Sequence, residues 1–150
     1  MFQFSTKQKI CDIGGVRFGG QAGDYPTVVV PSIFQKGDRV FEGAKRKAGF
    51  NRERAEELLR MTENLAAETG VPCMADIVAN TGVEFKTYID FFTSLTDMPF
   101  CIDAWVMKPK LEGASYCADS LPGWTTRESL PPTNAVFDIP QEGSDKVFSF

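Results

Sequence analysis

Apolar residues recur along the chain with two different periods, and the order of those periods predicts the architecture. Ile10 to Ile13 alternates weakly, Gly14-Gly15 interrupts, and Val16 to Phe18 resumes, the pattern of a β-hairpin. Gly19 to Asp24 is a glycine-rich loop without the GxxxxGKS/T spacing of a phosphate cradle. Thr27-Val28-Val29-Val30 is a continuous β-branched run, which predicts a parallel strand buried on both faces. Lys36 to Gly49 is polar and irregular, a loop of the kind that often forms a lid.

From Asn51 onward a helical period takes over. Asn51 is an N-cap, with Arg54 where a capping box would have Glu, and Ala55, Leu58, Leu59, Thr62, Leu65 and Ala66 form the core face. Gly70 ends this helix and Pro72 opens the next strand. Pro72 to Asn80 and Pro99 to Trp105 are two apolar strands, each ending in an aspartate, Asp76 and Asp103. Between them, Gly82 to Thr96 is amphipathic, capped by Thr81, with Phe85, Tyr88, Ile89, Phe92 and Leu95 as a stripe for packing on the sheet. Lys110 to Leu121 is a weaker helix. The pattern then fails at Pro122, Pro131, Pro132 and Pro140, leaving one short strand at Val136 to Ile139.

The order is therefore a hairpin followed by three β-α units, an α/β protein with parallel strands. A closed (β/α)8 barrel takes roughly 200 to 250 residues, and this sequence has 150. Two architectures remain open: a small open three-layer sheet, or part of a longer protein. In either, chemistry collects at the carboxyl ends of the strands, where the two aspartates fall. That placement predicts an enzyme.

Composition removes several function classes. Sixteen basic and twenty acidic residues give a formal net charge of −4, which favours neither nucleic acid nor an anionic membrane surface. The basic run Lys45-Arg46-Lys47 has Glu42, Glu53, Glu56 and Glu57 around it and reads as a solvated loop. No apolar run approaches the ~20 residues of a membrane span, and no signal-peptide core follows Met1, so the cytoplasm is expected. Cys11, Cys73, Cys101 and Cys117 contain no CxxC pair, which argues against structural zinc and predicts free thiols, those of Cys73 and Cys101 packed within strands. The sequence has no histidine. His-based triads, HExxH zinc sites and a histidine-ligated corrinoid are thereby excluded, and no metal ligands are assigned.

Several segments, taken in order, resemble a known family. They are Asp12-Ile13-Gly14-Gly15-Val16-Arg17-Phe18-Gly19-Gly20-Gln21, Tyr25-Pro26-Thr27-Val28-Val29-Val30-Pro31-Ser32-Ile33-Phe34, Arg54-Ala55-Glu56-Glu57-Leu58, Tyr88-Ile89-Asp90-Phe91 and Pro99-Phe100-Cys101-Ile102-Asp103. Together they resemble the H-subunit family of tetrahydromethanopterin S-methyltransferase and its bacterial relatives, the methylcorrinoid:tetrahydrofolate methyltransferases, over about residues 1 to 121. The chain departs from that pattern at Gly37-Asp38, where many relatives have Gly-His, and in lacking the family's next strand with its Tyr-Asn-Ser ending; Asn134 is not in that context.

The resemblance implies the N-terminal portion of a (β/α)8 TIM barrel with a leading β-hairpin, the barrel incomplete. Residues 1–121 would be the partial barrel and 122–150 an irregular tail. It also implies methyl transfer between a reduced pterin, tetrahydrofolate or tetrahydromethanopterin, and a corrinoid held by a partner protein. A carboxylate suits the pterin's ring N–H and exocyclic amine, which it can accept as a bidentate pair. Asp103 resembles the family's pterin-binding aspartate. Asp76 is the second catalytic candidate, and Ser32, Asn80 and Trp105 are substrate-binding candidates at the same strand ends. The structural alternative is that Asp, Asn and Ser cap the helices that follow, and that Trp105 is a rim aromatic. The functional alternative is a catalytically inactive barrel fragment or interaction module. An unpaired last strand would favour self-association, so a homo-oligomer is expected.

Overall fold

The computed structural model describes residues 3–6, 8–42 and 49–121, together with the backbone of 147 and 148. Its first element is the expected hairpin, β1 (Gln8–Ile13) antiparallel to β2 (Val16–Gly20). Gly14 and Gly15 both take positive φ, 54° and 86°, as a two-residue turn matched to strand twist requires. Asp12 Oδ1 accepts the Gly15 N–H at 3.0 Å. The turn lies against Pro99, and so beside the amino end of the strand that leads to Asp103.

The main sheet has four strands in the order β3 (Ser32–Ile33), β4 (Ala75–Val78), β5 (Phe100–Asp103) and β6 (Val147–Phe148), all parallel. Sequential order with helices between strands is the α/β arrangement expected. The described residues form an open parallel sheet. β6 gives β5 a neighbour on its far side, through Phe100↔Val147 and Cys101↔Phe148. The sequence pattern, which breaks after Leu121, predicts no such neighbour. The basic run at 45–47, Val136 to Ile139 and the rest of the tail apart from 147 and 148 lie outside the described residues.

Thr27–Val30 differs from expectation. Only Val29 bridges the next strand, with its N–H bonded to the Pro72 carbonyl at 3.0 Å, and the regular strand begins later, at Ser32. Val29 is 48% exposed, so the run is not buried on both faces. β-Branched residues favour extended backbone whether or not anything covers them. Pro31 has no N–H to offer a ladder and belongs at a sheet edge, which is where β3 lies.

α1 (Arg52–Thr69) follows, with the Asn51 side chain accepting from the Arg54 N–H at 3.0 Å and Gly70 closing its end. Ala55 and Leu59 are buried, but Leu65, expected in the core, is 51% exposed. α2 (Gly82–Thr93) starts at Thr81, whose hydroxyl accepts from the Glu84 N–H, while the Glu84 carboxylate accepts from the Asn80 N–H at 2.8 Å. Its buried stripe is Phe85, Tyr88, Ile89, Phe91 and Phe92, whereas Leu95 lies beyond the helix and is exposed. α3 (Met107–Ser120) begins one turn earlier than Lys110. Pro109 is tolerated there because first-turn N–H groups have no partner within the helix.

All three helices pack on one face of the sheet. Ile33, Ala75, Ile77, Phe100 and Ile102 meet Ala55, Leu59, Phe85, Ile89, Phe92 and Cys117 in a single cluster. Phe34, at φ 67°, ends β3 in a conformation that β-carbon-bearing residues rarely adopt. Its ring is held by stacking on Tyr88 at 4.2 Å and by the edge of Phe50 at 4.8 Å.

Candidate functional site

Side chains alternate along a strand, so each strand delivers every second residue to the face away from the helices. From β3 that residue is Ser32; from β4, Asp76 and Val78; from β5, Cys101 and Asp103. The register aligns them, with Ser32 opposite Asp76, Asp76 opposite Cys101 and Val78 opposite Asp103. The helix-side face is apolar and this face carries a row of polar groups.

Asp76 is the centre of that row. The Ser32 hydroxyl donates to its Oδ2 at 2.8 Å and the Cys101 thiol donates to its Oδ1 at 3.3 Å. Asp76 was expected at the end of its strand. It is instead the second residue of β4, because the apolar run continues through Ile77, Val78 and Ala79 before the backbone turns. Asp103 does end β5. The two carboxylates therefore share a face but differ in depth by two residues, about 6–7 Å along a strand.

Burial raises the Asp76 carboxyl above its ordinary 3.8; the Ser32 and Cys101 hydrogen bonds pull it down, the Asp103 charge pushes it up and Lys110 lowers it. Burial likewise pushes the Cys101 thiol well up, with Asp76 adding to the effect. Cys101 is fully buried and behaves as a weak donor, in keeping with its expected role as a small packed residue. All four cysteines are free, with Cys73 half-buried.

The sequence reading missed Lys110. It is the buried charged residue of the described chain, 7% exposed, and its ammonium lies 2.9 Å from Asp103 Oδ1. Lys110 lies in the first turns of the helix that follows Asp103, beside Pro109 and one turn before Gly113, both buried.

The remaining candidates are more peripheral. Ser32 is exposed apart from its bond to Asp76, and Asn80 is exposed just past β4, where its backbone N–H is tied to Glu84. Trp105, two residues past Asp103, is 85% exposed, and Val106 and Met107 beside it are also exposed. The structure thus places two groups on one face, Ser32–Asp76–Cys101 and Asp103–Lys110, coupled through charge, with Asn80 and Trp105 on the rim around them. The open groove lined by Glu63, Cys73, Thr96 and Asp97 lies elsewhere, among residues that precede β4 and β5 at their amino ends.

Parallel strands with carboxylates gathered on the face opposite the helices define the class, an α/β protein with a polar site towards the carboxyl ends of its strands. Residues 6–126 match the family described as tetrahydromethanopterin S-methyltransferase MtrH subunit, and the chain belongs to that family. Similar proteins include the H-subunit of tetrahydromethanopterin S-methyltransferase from Methanopyrus kandleri, 38% identical over 120 residues, and that from Methanothermobacter thermautotrophicus, 35% identical over 120 residues. The H-subunit of a putative methyltransferase, mtx, from Methanosarcina mazei is 35% identical over 119 residues. Each alignment covers 79% of this chain but only 37–38% of the relative's length. No described helix is long and apolar enough to cross a membrane.

Proposed function

We propose that this chain forms the pterin-binding part of a methyltransferase that moves a methyl group between tetrahydrofolate or tetrahydromethanopterin and a corrinoid protein. The observation that carries this reading is the position of Asp103 in a chain of this family. It is a strand-end carboxylate whose Oδ2 has no hydrogen bond among the described residues and whose side chain is 44% exposed. Such a group can accept a ring N–H and an amine together. Asp76 supports the reading from deeper on the same face, as a carboxyl whose raised pKa suits proton traffic near the reacting nitrogen. Ser32 orients Asp76, and Asn80 and Trp105 would contact the edges of the pterin.

A corrinoid supplies the cobalt that takes or gives the methyl group. This sequence has no histidine to ligate one, so we assign the corrinoid to a partner protein. In the same reading, residues 1–121 are part of a (β/α)8 barrel, in keeping with the family match over 6–126, and 122–150 are a tail from which residues 147 and 148 pair with β5. Free thiols fit a reducing cytoplasm, and the open sheet fits assembly with further copies of the chain. A second reading is an inactive barrel fragment or interaction module, which the open edge of the described sheet at β3 would suit.

Titration calorimetry with tetrahydrofolate tests the proposal. Asp103→Asn should weaken binding by about 1.5–3 kcal/mol, the value of a hydrogen bond to a charged group, or roughly 10- to 150-fold. Equal affinity for wild type and variant would remove Asp103 from the site. No binding by the wild-type chain would favour the interaction module.

A further inference from the structure

We propose that Lys110 is a positioning residue for the pterin site, fixing the orientation of the Asp103 carboxylate through its Oδ1 so that Oδ2 is presented to the ligand. The inference rests on the pterin-site reading above and adds to it the residue that sets the geometry of recognition.

Lys110 sits where elementary rules disfavour a lysine. It is buried, and removing an ammonium from water is costly unless it is paired. It also lies near the N-terminus of α3, where the helix dipole repels a cation. No acidic residue stands in that first turn, and Val106 provides no side-chain cap. A lysine placed against both rules and aimed at a strand-end carboxylate marks a functional position, since local conflicts are retained where function needs them.

The surroundings hold Lys110 in place. Gly113, one turn on, lets α3 approach α2 so closely that a β-carbon there would stand 2.8 Å from the Phe85 ring. Glu112 of α3 accepts the Gly82 N–H at the start of α2 at 3.2 Å. α3 is therefore fixed to α2, and its first turns carry Lys110 to Asp103 at 2.9 Å. Without the ammonium, a carboxylate on a strand end can rotate about its own bonds. Two-point recognition depends on that rotation being stopped.

Lys110→Gln, Lys110→Arg, Asp103→Asn and the double variant Asp103→Asn/Lys110→Gln are titrated with tetrahydrofolate and with its 2-desamino analogue, with thermal melts alongside. Lys110→Gln should weaken tetrahydrofolate binding by about tenfold or more and lower its preference over the 2-desamino analogue. Lys110→Arg should restore most of both. The double variant should bind no more weakly than Asp103→Asn alone, because Lys110 acts through Asp103. Equal weakening for both ligands, or losses that add in the double variant, would make Lys110 structural and overturn the inference while leaving Asp103 in the site. If Lys110→Gln fails to fold, Lys110→Arg alone decides: an unchanged preference supports the inference, and a lost preference in a chain that melts like wild type overturns it, since charge then does not suffice. No binding by the wild-type chain would overturn the pterin reading itself, and wild-type affinity in Asp103→Asn would remove Asp103 from the site; either outcome overturns the inference.

Discussion

Adjacent residues of the same strand serve opposite faces of this sheet, and the two faces are held by different forces. On the helix side, Ile33, Ala75, Ile77, Phe100 and Ile102 are buried against three helices, and Phe92 meets Phe100 edge-on at 5.1 Å. On the other side, Ser32 and Cys101 are hydrogen-bonded to Asp76, and Asp103 forms an ion pair with a buried lysine. Close packing tolerates neither a void nor an added atom. A hydrogen-bonded polar row gains little net stability but sets directions. The comparison teaches that stability should reside in one face and recognition in the other, although the two are separated by a single peptide unit.

The largest expected effect lies at Ile77, the neighbour of Asp76. Ile77 is fully buried. Ile77→Ala should cost about 2–5 kcal/mol through lost burial and the cavity left behind. Urea unfolding followed by circular dichroism measures it. A loss below about 1 kcal/mol would mean that the helix-side face is loosely packed and that the contrast between faces is wrong.

The next effect sits between the helices and reaches the site. Gly113→Ala gains up to about 1 kcal/mol of helix propensity. It also puts a methyl 2.8 Å from the Phe85 ring, which is itself fully buried. Overpacking of this kind costs about 1–3 kcal/mol, so the clash should win and the variant should melt lower. Because α3 must move to relieve it, tetrahydrofolate binding should weaken as well. A stabilised variant would show the α2–α3 spacing to be slack and would remove one support for the placement of Lys110.

The helix-side face was legible in the sequence for the same reason that it is stable. Phe85, Tyr88, Ile89 and Phe92 recur with the helical period, and Asn51 and Thr81 cap where short polar residues should. Burial and periodicity are local signals. The expected burial of Thr27–Val30 failed because the run reports extended backbone and not what covers it; the covering of an edge strand is decided by elements distant in sequence. The polar face was half legible. Asp103 stands at a strand end as read, but the depth of Asp76 depends on register with β5, which no local pattern specifies. Lys110 escaped notice because a lysine near a helix start reads as solvated, whereas its burial and its pairing with Asp103 depend on tertiary packing that no local pattern specifies.

The smallest expected effect is the one that best separates the two faces, because its sign differs from the others. Burial is the largest influence on Asp76 and raises its pKa above 3.8. A carboxyl with a raised folded-state pKa holds its proton more tightly folded than unfolded. Its contribution to stability is therefore full below the ordinary value and declines as pH rises through the raised one. Asn at this position cannot ionise, and its amide oxygen can still accept the Ser32 hydroxyl. Asp76→Asn should accordingly melt at or slightly above wild type at pH 7, and the gap should close as the pH falls below 3.8. Melting curves across that range measure it. A variant that melts lower at pH 7 and recovers on acidification would mean that the bonds from Ser32 and Cys101 to the ionised carboxylate outweigh its burial, and that the polar row anchors the fold as the apolar face does. The expected result gives Asp76 a different standing from Ile77 beside it. It is a group kept at some cost to the folded state, and retention at a cost is what function at that position would require.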